Sequence, residues 1–165
     1  MSAWLGQLER SDPVYRQEAV TALQNLGANN VRVLEALVRA ARDDDPDVRI
    51  LAISALSRLT PRIEALAPLL RDALHDDNRV VRIQAAQALA NLGPPSEAVL
   101  HGLIEAVSDE DDIVRLIAVQ GLGRMGRAAR PAAAQLTGLL KDPSPELRDR
   151  AAEALRKINP NAEPK

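Results

Sequence analysis

Apolar residues recur along this chain at helical spacings, and the whole pattern returns every 33 residues, marked by Arg16, Arg49, Arg82, Arg115 and Arg148. Three positions after each arginine stand Ala19, Ala52, Ala85, Ala118 and Ala151. Seven after stand Leu23, Leu56, Leu89, Leu122 and Leu155, and ten after stand Leu26, Leu59, Leu92, Met125 and Ile158. Offsets of three, seven and ten lie on one face of an α-helix. Four positions before each arginine stand Asp12, Asp45, Asn78, Asp111 and Ser144, all suited to accept a hydrogen bond from an orphan N–H at a helix start. Pro13, Pro46 and Pro145 follow, and proline suits the first helical position. Gly27, Thr60, Gly93, Gly126 and Asn159 follow the last apolar column. Glycine and asparagine tolerate the left-handed backbone that ends a helix. The pattern predicts helices over 13–26, 46–59, 79–92, 112–125 and 145–158, here called B helices.

A second helix is predicted between consecutive B helices. Its apolar columns are Val33, Leu66, Val99 and Ala132; Leu37, Leu70, Leu103 and Leu136; then Ala41, Leu74, Val107 and Leu140. These A helices are expected over 30–42, 62–75, 96–108 and 129–141, with a partial one at 2–10 and a frayed tail at 159–165. Pro68 and Pro131 should kink or delay two of them. One amphipathic hairpin cannot bury its apolar face alone, so the copies must stack into a curved one-dimensional array. The expected fold is all-α: an α-α superhelix of five two-helix repeats over 1–27, 28–60, 61–93, 94–126 and 127–158, in one domain. The polar helix 145–158, with Asp149, Arg150, Glu153, Arg156 and Lys157, is expected to close the array.

Composition changes this picture little. The chain has 165 residues, a net charge of −2, one Trp, one Tyr, no Phe and no Cys. The core must be aliphatic, with alanines letting helices approach closely. Cysteine chemistry is excluded, and its absence fits the reducing cytoplasm, where we expect the chain. No segment has the length and apolarity of a membrane span, and the start carries no secretory pattern, so no membrane partner is expected.

The segments DDPDVRILAISALSRL, DNRVVRIQAAQALANLG and DPSPELRDRAAEALRKI resemble HEAT-like repeats, specifically the short type named after phycobilisome lyases. The resemblance covers nearly the whole chain and implies an armadillo-like superhelix with the B helices on its concave side. It fixes no function, because adaptors, bilin-lyase subunits and other assemblies share such repeats. Where the family's hydroxylases use repeated His-Glu pairs for iron, this chain has none.

At roughly 100° per residue, the position after each arginine faces away from the apolar arc. Its occupants are Gln17, Ile50, Ile83, Leu116 and Asp149, with Leu51 and Ile117 beside two of them. Ser54, Gln84, Gln87 and Gln120 surround this aliphatic row, and the small residues Ser57, Ala90 and Gly123 leave room. Two readings fit: a surface for a protein or peptide, or sideways packing between neighbouring B helices. A further column, Asn25, Arg58, Asn91, Arg124 and Lys157, either holds acidic groups of a partner or forms a solvated edge. The partner-binding set is therefore Ile50, Leu51, Ser54, Arg58, Ile83, Gln84, Gln87, Asn91, Leu116, Ile117, Gln120 and Arg124.

The five arginines themselves read as structural. Asp43, Asp76, Asp109 and Asp142 recur six positions before the last four, and an Arg–Asp ladder would tie neighbouring repeats. The acidic loops lack the glycine and spaced glutamate of a calcium loop, and negative charge at a helix start needs no metal. In GLGRMG, Gly126 is an expected helix stop. Helix packing suits Gly121, while Gly123 reads as close approach of a partner or as a joint.

His75 and His101 fall at different places in the repeat, and no catalytic set, metal-ligand cluster or phosphate loop appears. Neither enzyme activity nor a cofactor is expected. Arg124, Arg127, Arg130, Arg150, Arg156 and Lys157 offer charge for nucleic acid, but the net charge is negative and no aromatics line the face for stacking. The reading is a monomeric adaptor binding a protein or peptide on its concave face. Its alternatives are a phycobilin-lyase subunit or chaperone-like relative, and nucleic-acid binding through the C-terminal basic cluster.

Overall fold

The computed structural model describes residues 2–27, 30–59, 64–92 and 95–160. Among them are ten α-helices: α1 Ser2–Gln7, α2 Pro13–Asn25, α3 Val31–Ala40, α4 Pro46–Leu59, α5 Ala67–Ala73, α6 Arg79–Asn91, α7 Glu97–Ala106, α8 Asp112–Met125, α9 Ala133–Gly138 and α10 Pro145–Ile158. Short 3₁₀ segments, Glu64–Leu66, Gly126–Ala132 and Leu139–Lys141, flank α5 and α9. The even-numbered helices are the B helices. They lie side by side in chain order, each against the next, while the odd-numbered A helices pack behind them and touch one another more sparsely. The denser layer of a curved two-layer stack is its inner one. The fold is an armadillo-like α solenoid.

Capping explains why the B helices start where they do. Asp12 Oδ1 accepts from Val14 N at 2.9 Å, and Asp45 Oδ1 from Asp47 N and Val48 N at 3.0 and 3.1 Å. Asn78 and Asp111 cap in the same way, and Ser144 Oγ accepts from Leu147 N. Three of the expected stops differ in outcome. Gly27 and Gly126 take φ of 80° and 54°, the left-handed half of the map that only glycine enters cheaply. Asn159 stays at φ −125°, so α10 ends without a left-handed residue. Thr60 and Gly93 lie outside the described residues, as do the start of the second A helix and tail residues 161–165.

The A helices are shorter than their apolar spacing predicts. Pro68 sits in the first turn of α5, and Pro131 lies in a 3₁₀ segment where Ala129 departs from helical angles. Both prolines therefore delay the α-helix rather than kink its middle. The C-terminal ends tighten into i→i+3 bonds: Asp43 N to Ala40 O, Asp76 N to Ala73 O, Asp109 N to Ala106 O and Asp142 N to Leu139 O. Leu140, expected in the core, is 39% exposed. A 3₁₀ turn advances about 120° per residue instead of about 100°, which swings Leu140 off the apolar face and brings Leu139 toward it. Leu26 is also exposed, at the end of a helix covered on one side only by the six-residue α1.

The tightened turns deliver four aspartates to one place in each hairpin. Each accepts from the backbone amide two residues on: Asp45, Asn78, Asp111 and Ser144, at 2.8 to 2.9 Å. The same carboxylates meet the arginine of the preceding B helix. Arg16 grips Asp43 through Nε and Nη2 at 2.9 and 2.7 Å and reaches Asp44 at 2.6 Å. Arg49 grips Asp76 at 2.7 and 2.8 Å. Arg82 takes Asp109 at 3.1 Å and Glu110 at 2.8 Å. Arg115 stands 3.4 Å from Asp142, and its Nε, though buried, has no hydrogen bond. In every case Nη1 donates backward to carbonyls of the helix's own leading loop, for Arg49 those of Asp43 and Asp44 at 2.8 and 3.1 Å. Arg148 keeps only this backward half, to Asp142 O and Pro143 O, among the described residues.

Two outcomes follow from these bonds. Arg49→Met is expected to cost about 2–4 kcal/mol, because it leaves the largely buried Asp76 carboxylate without its partner. Arg148→Met removes bonds to carbonyls only and is expected to cost about 1 kcal/mol. Urea unfolding followed by circular dichroism compares the two, and equal costs would mean that the carboxylate link contributes nothing. The second outcome concerns acid. Burial works against the charge on Asp43, but the Arg16 guanidinium and the Asp45 amide outweigh it and hold the carboxyl below its usual value of 3.8; the Arg79 guanidinium does the same for Asp111. Both groups take up protons at lower pH in the folded chain than in the unfolded one. Their stabilisation is therefore complete well above about pH 4 and lost as pH falls through the folded values. Asp43→Asn should flatten the decline of stability between about pH 5 and pH 2, measured in the same urea experiment.

Candidate functional site

The open face of the B-helix layer is built from five columns counted from each arginine. Two positions before it stand Val14, Asp47, Val80, Ile113 and Glu146, and all five are exposed. Nine positions after it stand Asn25, Arg58, Asn91, Arg124 and Lys157, also exposed. Between these rims lies a floor of half-buried side chains: Ile50, Leu51, Ser54, Ile83, Gln84, Leu116, Ile117 and Gln120, with Gln87 standing out into solvent. Ile50, Leu51, Ile83, Leu116 and Ile117 pack against the core while keeping part of their surface open. The floor is thus neither sealed inside the stack nor fully presented to water. Neighbouring B helices cover its flanks, and its upper edges stay available.

The most exposed aliphatics of this face are Val14 at 54%, Val80 at 45% and Ile113 at 41%. Counting forward from each arginine passes over them. The same rotation of roughly 100° per residue puts them near 160°, in the middle of the open arc, so the signal was present in the sequence. They turn the aliphatic row into a band two positions wide in the hairpins of α6 and α8.

The two ends of the face differ. Near the N-terminal end, Trp4 from α1 meets Val14, Gln17, Thr21 and Leu51 around an open depression of about 490 Å³. The indole lies half-buried there, the single large aromatic surface on this face. At the opposite end, α8 and α10 enclose a smaller cleft lined by Gln120, Gly123, Arg124, Arg150, Glu153 and Lys157. Gly123 sets that spacing, and Gly121 sets the approach of α8 to α6 and α7. A Cβ on Gly121 would stand 3.0 Å from the Ala90 Cβ and the Leu103 side chain, and one on Gly123 would stand 3.3 Å from the Ala154 Cβ. Close packing within the chain accounts for both. Arg124 Nη2 donates to the Ala90 carbonyl at 3.1 Å, so this arginine spans α8 and the end of α6. Arg127, Arg130 and Arg156 are exposed but do not line that cleft.

Among the described residues no group of three or more His, Cys, Asp or Glu is placed to hold a metal ion, and no helix is long and apolar enough to cross a membrane. The groups the face presents are aliphatic side chains, amides and a few cations, which suit recognition of an extended or helical segment of another chain.

The HEAT-repeat family model matches residues 1–90 and 100–165, and the model of the phycobilisome-lyase HEAT-like repeat matches residues 81–109. The chain belongs to the HEAT-repeat family. Among curated proteins none matches it. Solved structures with the same fold include a designed armadillo repeat protein in complex with the peptide (KR)4. It shares 22% identity at a TM-score of 0.71, over 96% of this chain and 81% of that one. The complex of CpcE and CpcF of phycocyanin lyase from Nostoc sp. PCC7120 shares 22% identity at 0.65, over 93% and 96%. Cex1p shares 18% at 0.75, over 96% of this chain and 36% of that one. At these identities the likeness is one of fold.

Within this HEAT-repeat chain, rim and floor should answer differently to the same change. Val80→Ser, on the exposed rim, is expected to alter stability by less than about 0.5 kcal/mol. Ile83→Ser, on the floor, should cost about 1–2 kcal/mol through lost packing. Thermal unfolding of the two variants tests this, and equal costs would mean that the floor has no packing role.

Proposed function

We propose that this HEAT-repeat protein is a non-catalytic scaffold that binds a segment of another protein along the open face of its B helices. The observation that carries this reading is the continuous aliphatic band of Ile50, Val80, Ile83, Ile113 and Leu116, flanked by the amides of Gln84, Gln87 and Gln120. Such a band is costly to leave in water without a use, and amides beside it can pair with a partner's backbone. Ile50, Leu51, Ser54 and Arg58 would take one end of the segment. Leu116, Ile117, Gln120 and Arg124 would take the other, with Ile83, Gln84, Gln87 and Asn91 between them. The designed neighbour that holds a peptide on the same fold supports the class of partner, not its sequence.

A second reading draws on the repeat match at residues 81–109 and the full-length likeness to the CpcE–CpcF complex: a subunit of a bilin-attaching assembly. It requires association with a bilin or a bilin-carrying protein, which visible absorbance would report.

Selection of peptides from a random twelve-residue library on the full chain tests the first reading. Enriched peptides should contain aliphatic residues at regular intervals. Val80→Asp with Ile113→Asp, both on the exposed rim, should weaken the best of them at least about tenfold in fluorescence anisotropy while leaving the circular dichroism spectrum unchanged. Absence of any enriched peptide, or binding indifferent to both substitutions, would remove this face as the site.

A further inference from the structure

At the C-terminal end of the open face, α8 and α10 flank a cavity of about 130 Å³. Its walls bring Arg124, Arg150 and Lys157 together around a single carboxylate, Glu153. Lys157 Nζ donates to Glu153 Oε1 at 2.7 Å, and Arg150 Nη1 donates to Oε2 at 3.3 Å. Arg124 commits one donor to the Ala90 carbonyl. Guanidinium groups carry five donors and ammonium three, so these bonds leave most of the donor capacity unused. Arg150 and Lys157 keep 47% and 54% of their side-chain surface open. Three cations held near one anion form a site that is electrostatically incomplete.

The neighbourhood of the cleft narrows what completes it. Val119 and Gln120 line its α8 wall, and Leu116 lies one helical turn away on the aliphatic floor. An anion bound in the cleft therefore has apolar groups beside it. Glu153 already stands within the cation cluster and would repel a doubly charged phosphate more strongly than a singly charged carboxylate. The opposite rim carries Asp47 and Glu146, and Asp112 and Asp149 are exposed beside that face, which disfavours a polyphosphate backbone running along it. Gly123 contributes no side chain, so Ala154 of α10 packs close against α8 and carries Arg150, Glu153 and Lys157 up to Arg124.

Building on the proposed peptide-binding function, we infer that this cleft takes the side-chain carboxylate of an Asp or Glu in the bound segment, whose neighbouring aliphatic residues lie on Leu116 and Ile83. The cleft then sets register and direction. An acidic residue anchors one end of the segment at α10, and its apolar residues extend toward α4 and the Trp4 depression.

The test uses the full chain and the best peptide from the library selection, fluorescein-labelled and read by anisotropy. Substituting its acidic residue by the matching amide should weaken binding to the wild-type chain about tenfold, and by less than about twofold to Arg150→Gln/Lys157→Gln. Glu153→Gln, which leaves all three cations, should strengthen binding of the acidic peptide by a few-fold. Four results would overturn the inference: peptides enriched in aliphatics with no acidic residue; acid and amide forms that bind alike; a phosphoserine form at least tenfold tighter; or a single-stranded 20-nucleotide DNA that displaces the peptide. The first two leave peptide binding itself standing, whereas failure to enrich any peptide defeats both proposals together.

Discussion

Each hairpin is fastened to the next by one guanidinium that faces two ways. Arg49 shows the arrangement in full: Nη1 holds the carbonyls of Asp43 and Asp44 behind it, while Nε and Nη2 hold the Asp76 carboxylate of the following loop. The arginine thus closes its own loop and fixes the next one in the same gesture. The aspartate is equally bivalent, accepting from the arginine and from an amide of its own turn. A stacked array is stable only through its nearest-neighbour interfaces. Apolar packing supplies most of that stability but leaves sliding between smooth aliphatic faces inexpensive. A directional, largely buried ion pair at a fixed place between consecutive units penalises slippage.

Fixed register has a functional consequence. Because the B helices cannot slide, side chains at equal offsets line up into columns, and those columns become the rims and floor of a continuous face. The face is periodic in geometry but not in chemistry. Its offset after the arginine reads Gln17, Ile50, Ile83, Leu116, Asp149, apolar in the middle and polar at both ends. On the proposed function, a rigid ruler that carries different groups at each mark would read the order of residues in an extended segment, which a single pocket cannot do.

The two ends of the face are made by departures from the repeat. Trp4 belongs to the six-residue α1, and its ring lines the depression beside Val14, Gln17 and Leu51. Gly123 replaces a bulkier residue in α8, and Ala154 of α10 packs close against the helix at that point. Close approach brings Arg150, Glu153 and Lys157 up to Arg124 across the interface. Loss of side-chain volume inside the helix pair therefore creates a concentrated charge on its surface.

The sequence by itself determined the solenoid class, the extent of every B helix to within one residue, the caps and the aliphatic row. All of these are local or strictly periodic, and a 33-residue repeat states each of them several times. Pro68 and Pro131 delay their A helices, as their positions predicted. Sequence reasoning went astray elsewhere: a 3₁₀ turn exposes Leu140, and Asn159 ends its helix without turning left-handed. Tertiary structure alone decided how deep the aliphatic row sits and that Arg124, Arg150 and Lys157 share one cleft. Helical angle fixes the direction in which a residue points. Exposure also depends on how far away the neighbouring helix lies, and that distance is set by the packing of both.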